Sequence, residues 1–325
     1  MTFRKTLCCI SATFSLGIIP QAFAQTELVI TPRAEVNFAD VDGDTDTDFG
    51  MSSLYGFLDG TINENFSYSA SFHFLSTDPK ALYNYKAPFS DGTWIDWAYL
   101  SFDSEPYGVG IDLGKVVLNM GGFEFDKNDV DCYIPLVSDY WNSLCIYQPG
   151  ITFRLYPSET QAIEAQLTTS PMKMDYSDIG LAASVAWRGE FGPFSTYWAA
   201  NFQEYYKSIG DVICVGLGNK YSFENLDLIL DLFYGPDELS GFNKSCCELS
   251  LRADYKTSDK LSFELMGGYR ATDRITAGAL VEYYPLGDDT LRFHLSASDR
   301  YLPDMSNAHN LYISLGLTAN LHIGL

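Results

Sequence analysis

The sequence predicts an all-β protein, a transmembrane antiparallel β-barrel of about 16 strands, with 14–18 staying open. Three observations point there. Apolar and polar residues alternate with a period of two in segment after segment. The last of these segments is much longer than a strand of a soluble sandwich. The chain also opens on an export signal, and beyond it no uncharged apolar run reaches helix-spanning length.

Composition narrows the classes. The chain has 325 residues, 46% of them hydrophobic and 15% aromatic, too much apolar surface for a disordered chain. Twenty Lys+Arg against 42 Asp+Glu give a net charge of −22. No nucleic-acid partner is expected, because phosphate binding needs a basic footprint.

Residues 1–24 read as a signal peptide. Arg4 and Lys5 supply the positive start, Thr6 to Ile19 carries no charge, and Ala22-Phe23-Ala24 before Gln25 is a small-x-small cleavage site. The uncharged run is short for a membrane anchor, which needs about 20 residues, and Pro20 interrupts its end. Cleavage after Ala24 removes two cations and leaves a net charge of −24 on residues 25–325.

The C-terminal segment makes the case for lipid. Leu311, Ile313, Leu315, Leu317, Ala319, Leu321, Ile323 and Leu325 take the odd positions, and Tyr312, Ser314, Gly316, Thr318, Asn320, His322 and Gly324 the even ones. Side chains alternate faces along a strand, so one face is apolar and the other polar or small. A membrane-crossing strand needs about 9–11 residues. The pattern recurs in Leu226, Leu228, Leu230 and Leu232 against Asp227, Ile229 and Asp231, and in Leu291, Phe293, Leu295 and Ala297 against Arg292, His294 and Ser296. A barrel with a wet interior needs this occupancy.

Strands are expected near 28–39, 49–59, 65–76, 93–103, 107–116, 147–156, 161–169, 179–189, 193–202, 211–222, 225–234, 247–256, 260–269, 274–284, 290–298 and 308–325. Short connections holding Gly60, Pro106, Pro157, Gly192, Asn225, Ser258 and Gly287 alternate with others that include 77–92, 117–146 and 235–246. Outer-membrane barrels join strands by short periplasmic turns and longer external loops, with an even strand number. About 16–18 strands enclose an aqueous channel. No plug domain is expected before the first strand, which starts within a few residues of the cleavage site.

The longest connection, about 117–146, carries Gly121-Gly122 as a hinge and is too aromatic for disorder. It either folds inward to narrow the pore, or caps the barrel, or meets a neighbouring copy. Here the chain resembles a known family. Leu113-Gly114-Lys115, Gly121-Gly122-Phe123-Glu124, Asn128-Asp129 and Tyr140-Trp141-Asn142 through Gln148-Pro149-Gly150-Ile151-Thr152 are similar to the phosphate-selective porin O and P family. So is Gly278 to Leu286, followed by Leu291-Arg292-Phe293-His294. The two regions cover about a quarter of the chain. The resemblance implies a sixteen-stranded trimeric porin with its third external loop folded into the lumen.

That family's anion preference rests on an arginine ladder and on lysines in the constricting loop, and it does not transfer. The loop has Lys127 alone against Glu124, Asp126, Asp129, Asp131 and Asp139, and Asp40 to Asp48 add five aspartates in the first external loop. On the lumen wall Arg33, Arg154, Arg188, Lys220, Arg252, Arg270, Arg274 and Arg292 are matched by Glu35, Glu164, Asp227, Asp231, Glu248, Asp254, Glu264 and Glu282. A ring of one sign selects the opposite ion. The expectation is an outer-membrane porin, not an enzyme: a passive pore for small hydrophilic solutes or ions, weakly cation-preferring or non-selective. Its arginine wall would face the acidic loop across a narrow eyelet. The alternatives are an occluded structural or adhesive barrel and a phosphate- or anion-selective porin. Expected partners are outer-membrane lipid, lipopolysaccharide and two further copies in a homotrimer.

Other motifs weigh less. The run Asp40 to Asp48 lacks the glycine and glutamate of a calcium loop, with Thr45 and Met51 in their places. His294-Leu295-Ser296 has no visible orienting group for a catalytic relay. Cys132 and Cys145 share the long loop and could bridge, whereas Cys246 and Cys247 are neighbours that pair only under strain. No metal or cofactor is expected.

Overall fold

The computed structural model describes residues 25–41, 43–75, 95–124, 126–134, 146–175, 178–204, 212–236, 245–271, 274–302 and 309–324. The strands are β1 Gln25–Val41, β2 Asp44–Thr61, β3 Phe66–Leu75, β4 Ile95–Ser104, β5 Val109–Val117 and β6 Tyr147–Ser158. Next come β7 Gln161–Asp175, β8 Asp178–Phe191, β9 Phe194–Gln203, β10 Val212–Ser222, β11 Leu226–Pro236 and β12 Ser245–Ser258. The chain finishes with β13 Leu261–Arg270, β14 Arg274–Tyr283, β15 Leu291–Tyr301, β16 His309–Ala319 and β17 Leu321–Gly324. Each strand from β1 to β15 pairs antiparallel with the next, and β1 also pairs with β16 and β17, closing the sheet on itself. The last two strands are one stave broken at Asn320, so the barrel has sixteen. Asn320 turns its side chain inward to accept a hydrogen bond from Thr31 Oγ1 at 2.9 Å.

Burial alternates as the sequence predicts, with polar groups inside. Along β15, Arg292, His294, Ser296 and Ser298 are buried while Phe293, Leu295 and Ala297 are exposed. On β11, Asp231 is 1% exposed and its neighbours Leu230 and Leu232 37% and 44%. This is the reverse of a soluble core. The apolar outer surface ends in aromatic rings on both sides. Phe191, Tyr221, Tyr255 and Tyr283 lie towards the end that carries both termini, and Phe202, Tyr234 and Tyr269 towards the other. Trp187 and Trp198 face each other edge-on across β8 and β9, 5.2 Å apart. Trp94 lies outside the described residues.

At the end with the termini the connections are short: 62–65, 105–108, 159–160, 192–193, 223–225, 259–260 and 284–290. The strand ends Leu75, Ile95, Val117 and Tyr147 are at the opposite end. Gly60, Pro157 and Ser258, expected in turns, belong to the ends of β2, β6 and β12. A larger correction concerns the acidic run. Asp40 to Asp48 is not an open loop: Asp40 pairs with Thr45 and Val41 with Asp44, so β1 and β2 continue almost to a tight turn at Gly43, whose φ is +85°. Thr45 and Thr47 between the aspartates favour the extended chain.

The outward leucines generate a test. In lipid vesicles, Leu230→Arg on the mid-length of β11 should lower refolding stability by about 2–4 kcal/mol, the cost of a cation on the lipid side of a barrel. Were that face in water, the change would stay within about 0.5 kcal/mol.

Candidate functional site

Between β5 and β6 the described residues 118–124 and 126–134 form a strap that follows the inner side of the wall from β7 round to β1. It starts where the Gln166 side chain on β7 donates to the Val117 carbonyl at 2.9 Å and accepts from the Asn119 N–H at 3.1 Å. Gly121 and Gly122 then turn it along β9 and β10 with φ of +76° and +85°, values that glycine alone adopts freely. Space demands glycine too. A Cβ on Gly122 would stand 2.6 Å from the Phe233 ring, and one on Gly218 of β10 would stand 2.6 Å from the Gly122 Cα. The wall is notched where the strap crosses it.

Farther on the anchors are polar. The Phe123 N–H is held by both Asp231 oxygens at 2.9 Å. Arg252 donates to the Glu124 carbonyl at 3.4 Å and to Asp126 at 2.7 Å, and also meets Asp254 at 3.2 Å. Lys127 bonds Glu264. Burial opposes the charge on Lys127, but Glu264 and Asp254 outweigh it and hold the ammonium above its ordinary range. Asp129–Asp131 makes a single 3-10 turn, and Asp131 bonds Arg292.

The strap ends in a clasp against β15, β16 and β1. Arg33 is 2% exposed, bonds Glu35 at 2.7 Å, and donates to the Val130 and Cys132 carbonyls at 3.2 and 3.1 Å. Its guanidinium lies over the Tyr133 ring at 4.5 Å, and that ring also stacks on His294 at 4.0 Å. The Tyr133 hydroxyl, raised by burial, meets Thr318 at 2.9 Å, and Ser296 donates to the Tyr133 carbonyl. Tyr133 and Ile134 bury themselves against Met266 and Leu280, two apolar residues on the inward side of β13 and β14. Burial of such side chains contributes about 1.5–3 kcal/mol each.

Most wall residues singled out in the sequence do face inward, and they arrive as pairs. Arg154 meets Asp103 at 3.1 Å and also bonds Asp112. Arg188 meets Glu164 at 3.2 Å and lies over the Tyr197 ring. Lys220 meets Asp227 at 2.8 Å and Arg270 meets Glu248 at 3.2 Å. Glu282 accepts from Tyr284 at 2.9 Å, and Arg274 stands in register with Arg270. One expectation needs correcting. The acidic loop does not face the arginines across an aperture: Asp126 and Asp131 touch Arg252 and Arg292 directly. Opposite charges in a poorly solvated space attract too strongly to stay apart. Asp139 and Cys145, and with Cys145 the expected bridge to Cys132, lie outside the described residues.

Sequence reasoning saw Tyr133, His294 and Ser296 only as loop and wall and missed their joining. It also missed Gln166 and the notching glycines. Small residues at inward positions, Gly216 and Gly218 on β10 and Gly278 on β14, were the available signal. His294 gains a carboxylate neighbour, Glu35 at 3.3 Å, but the same ring nitrogen meets Ser314 at 3.2 Å. A nucleophilic relay needs the carboxylate at the other nitrogen, so the geometry does not build one.

Arg33→Met should cost about 3–5 kcal/mol in urea unfolding from detergent, because Glu35 is left buried without its cation. Adding Glu35→Gln should recover most of that loss. A loss below 1 kcal/mol for the single change would mean that the clasp contributes little.

No protein-family model matches the chain, and no curated protein is similar to it in sequence. Solved structures are similar. The outer membrane channel DcaP of Acinetobacter baumannii is 12% identical with a TM-score of 0.65, over 94% of this chain and 99% of that one. An anion-selective porin from Comamonas acidovorans is 11% identical with a TM-score of 0.63, over 92% and 100%. The in-vitro folded trimer form of OmpT, an outer membrane protein of Vibrio cholerae, is 13% identical with a TM-score of 0.62, over 92% and 99%. The chain has the fold of the outer-membrane porins.

Proposed function

We propose that this protein is an outer-membrane porin, a passive diffusion channel for small hydrophilic solutes and ions, without catalytic activity. The observation that carries the reading is the closed barrel whose inner wall is polar and charged and whose outer wall is apolar. The fold shared with a channel and an anion-selective porin supports it. Residues 1–24 would direct export, and the barrel would sit among lipid and lipopolysaccharide as a homotrimer, as the trimer form of a structural neighbour suggests by analogy.

Segment 117–146 is the constriction in this reading. A strap that follows the wall from β7 to β1 narrows the lumen from one side, which favours a channel over an occluded barrel. Assignment to the phosphate-selective porin O and P family remains our reading of the motifs quoted above. Its anion preference finds no support in the wall. Arg33, Arg154, Arg188, Arg252 and Arg270 each have a carboxylate at 3.2 Å or closer, and Arg292 has Asp131. A neutralised wall under an acidic rim gives weak cation preference or none.

In planar bilayers with a KCl gradient, the reversal potential should sit near zero or on the cation side, and clear anion preference would contradict the proposal. Replacing Asp126 and Asp131 together by Asn should shift it towards anions, since Arg292 loses its bonded carboxylate and Arg252 keeps only Asp254. Deleting residues 123–141 should enlarge single-channel conductance, and an unchanged value would place the constriction elsewhere.

A further inference from the structure

Towards the end that carries the termini, the inner wall holds acids in register. Asp227 of β11 stands opposite Asp254 of β12, and Asp254 stands opposite Glu264 of β13. Glu282 of β14 stands opposite Ser262, two residues before Glu264. Like charges directly opposite one another destabilise a sheet, so such a row needs cations. The chain supplies three: Lys220 meets Asp227 at 2.8 Å, Arg252 meets Asp254 at 3.2 Å, and Lys127 of the strap bonds Glu264. Arg252 is shared with Asp126. Glu282 differs from the row. Its partners are two hydroxyls, Tyr284 at 2.9 Å and Ser262 at 3.3 Å, while Lys127 and Arg292 act on it only from farther off. Asp254 also has an acceptor to spare, since its Oδ1 has no hydrogen-bond donor.

These groups line one cavity of about 260 Å³, which Lys127, Asp227, Asp254, Glu264 and Glu282 share with Phe223 at the β10–β11 turn. A solute can reach them: the side chains of Lys127, Asp227 and Asp254 are 29%, 32% and 29% exposed. Volume and chemistry select the occupant. The space is smaller than the roughly 300–1,000 Å³ of a drug-sized pocket, which calls for a small solute. Among the described residues no three acids converge on a metal position. The carboxylates are instead spread over neighbouring strands, each about 4.7–4.9 Å from the next. Such a row suits a short chain with a cationic donor at each end. Lys127 displays the binding mode, because an alkylammonium already sits on Glu264 in this cavity.

We propose that the cavity beside Lys127 is a subsite for small organic dications, one ammonium on Glu282 and the other on Asp254. The inference deepens the channel reading and rests on it, naming a solute class that the lumen would hold during passage. Cadaverine is the probe, and pentane-1,5-diol is its neutral counterpart.

Cadaverine should bind the detergent-solubilised protein in calorimetry and should reduce KCl current in a bilayer, at concentrations where the diol and magnesium ions do neither. Glu282→Gln, which breaks no ion pair of the row, should raise the half-saturating cadaverine concentration roughly five- to thirtyfold, as loss of one charge-assisted bond implies. Lys127→Met should lower it by roughly threefold or more, because Glu264 is freed and a competing ammonium is gone. Glu159→Gln removes the same charge from the exposed β6–β7 turn and should leave it within about twofold. Equal action by the diol or by magnesium, weaker binding after Lys127→Met, or the same affinity in the Glu282 and Glu159 variants would overturn the subsite. Binding of cadaverine without any KCl conductance would uphold the subsite and sink the channel reading instead.

Discussion

Closure of the sheet is the constraint on which the structure depends. A strand in hydrocarbon has no water to satisfy its N–H and C=O groups, so an open edge there is too costly to persist. β1 resolves this by pairing with β2 on one side and with β16 and β17 on the other. Once the ring is closed, the pleat assigns every residue to one of two solvents. Leucines and aromatics go out; Arg33, Glu35, Asp231, Arg252 and Arg292 go in, where each charge must find a partner.

Pairing inside the barrel fixes where the strap lies. The ion pairs of the wall are not strong evidence of stability, because desolvation offsets much of their attraction. Their effect is positional. Arg33, Arg252 and Arg292 hold backbone and carboxylates of the strap against the wall, and Gly121, Gly122 and Gly218 let it lie close. One side of the lumen is thus filled by a salt-bridged strap.

The barrel was legible in the sequence because period-two alternation is a local signal: β11 and β15 could each be read from seven residues. Boundaries were less so. The DVDGDTDTD run has the composition of a loop, but Thr45 and Thr47 extend it as strand, up to a tight turn where Gly43 takes a φ of +85°. The pairing of inward cations with inward carboxylates could be anticipated from their balance, and its geometry could not. Arg33 and the Cys132 carbonyl are separated by 99 residues, and Arg292 and Asp131 by 161. The register slip between β3 and β4 left no mark beyond weakened alternation there, since Asp96 and Trp97 face one way and break the very periodicity that reveals strands.

The central claim is that one face of each strand meets hydrocarbon and the other meets water. Spin labels placed singly at residues 227–233 of β11, in a cysteine-depleted background reconstituted in lipid, test it most directly. The account predicts oxygen accessibility peaking at 228, 230 and 232, where a water-soluble nickel chelate is excluded, with oxygen minima at 227, 229, 231 and 233, the last two lying against the strap. Uniform access of the chelate along the whole strand, or a periodicity near 3.6, would contradict it.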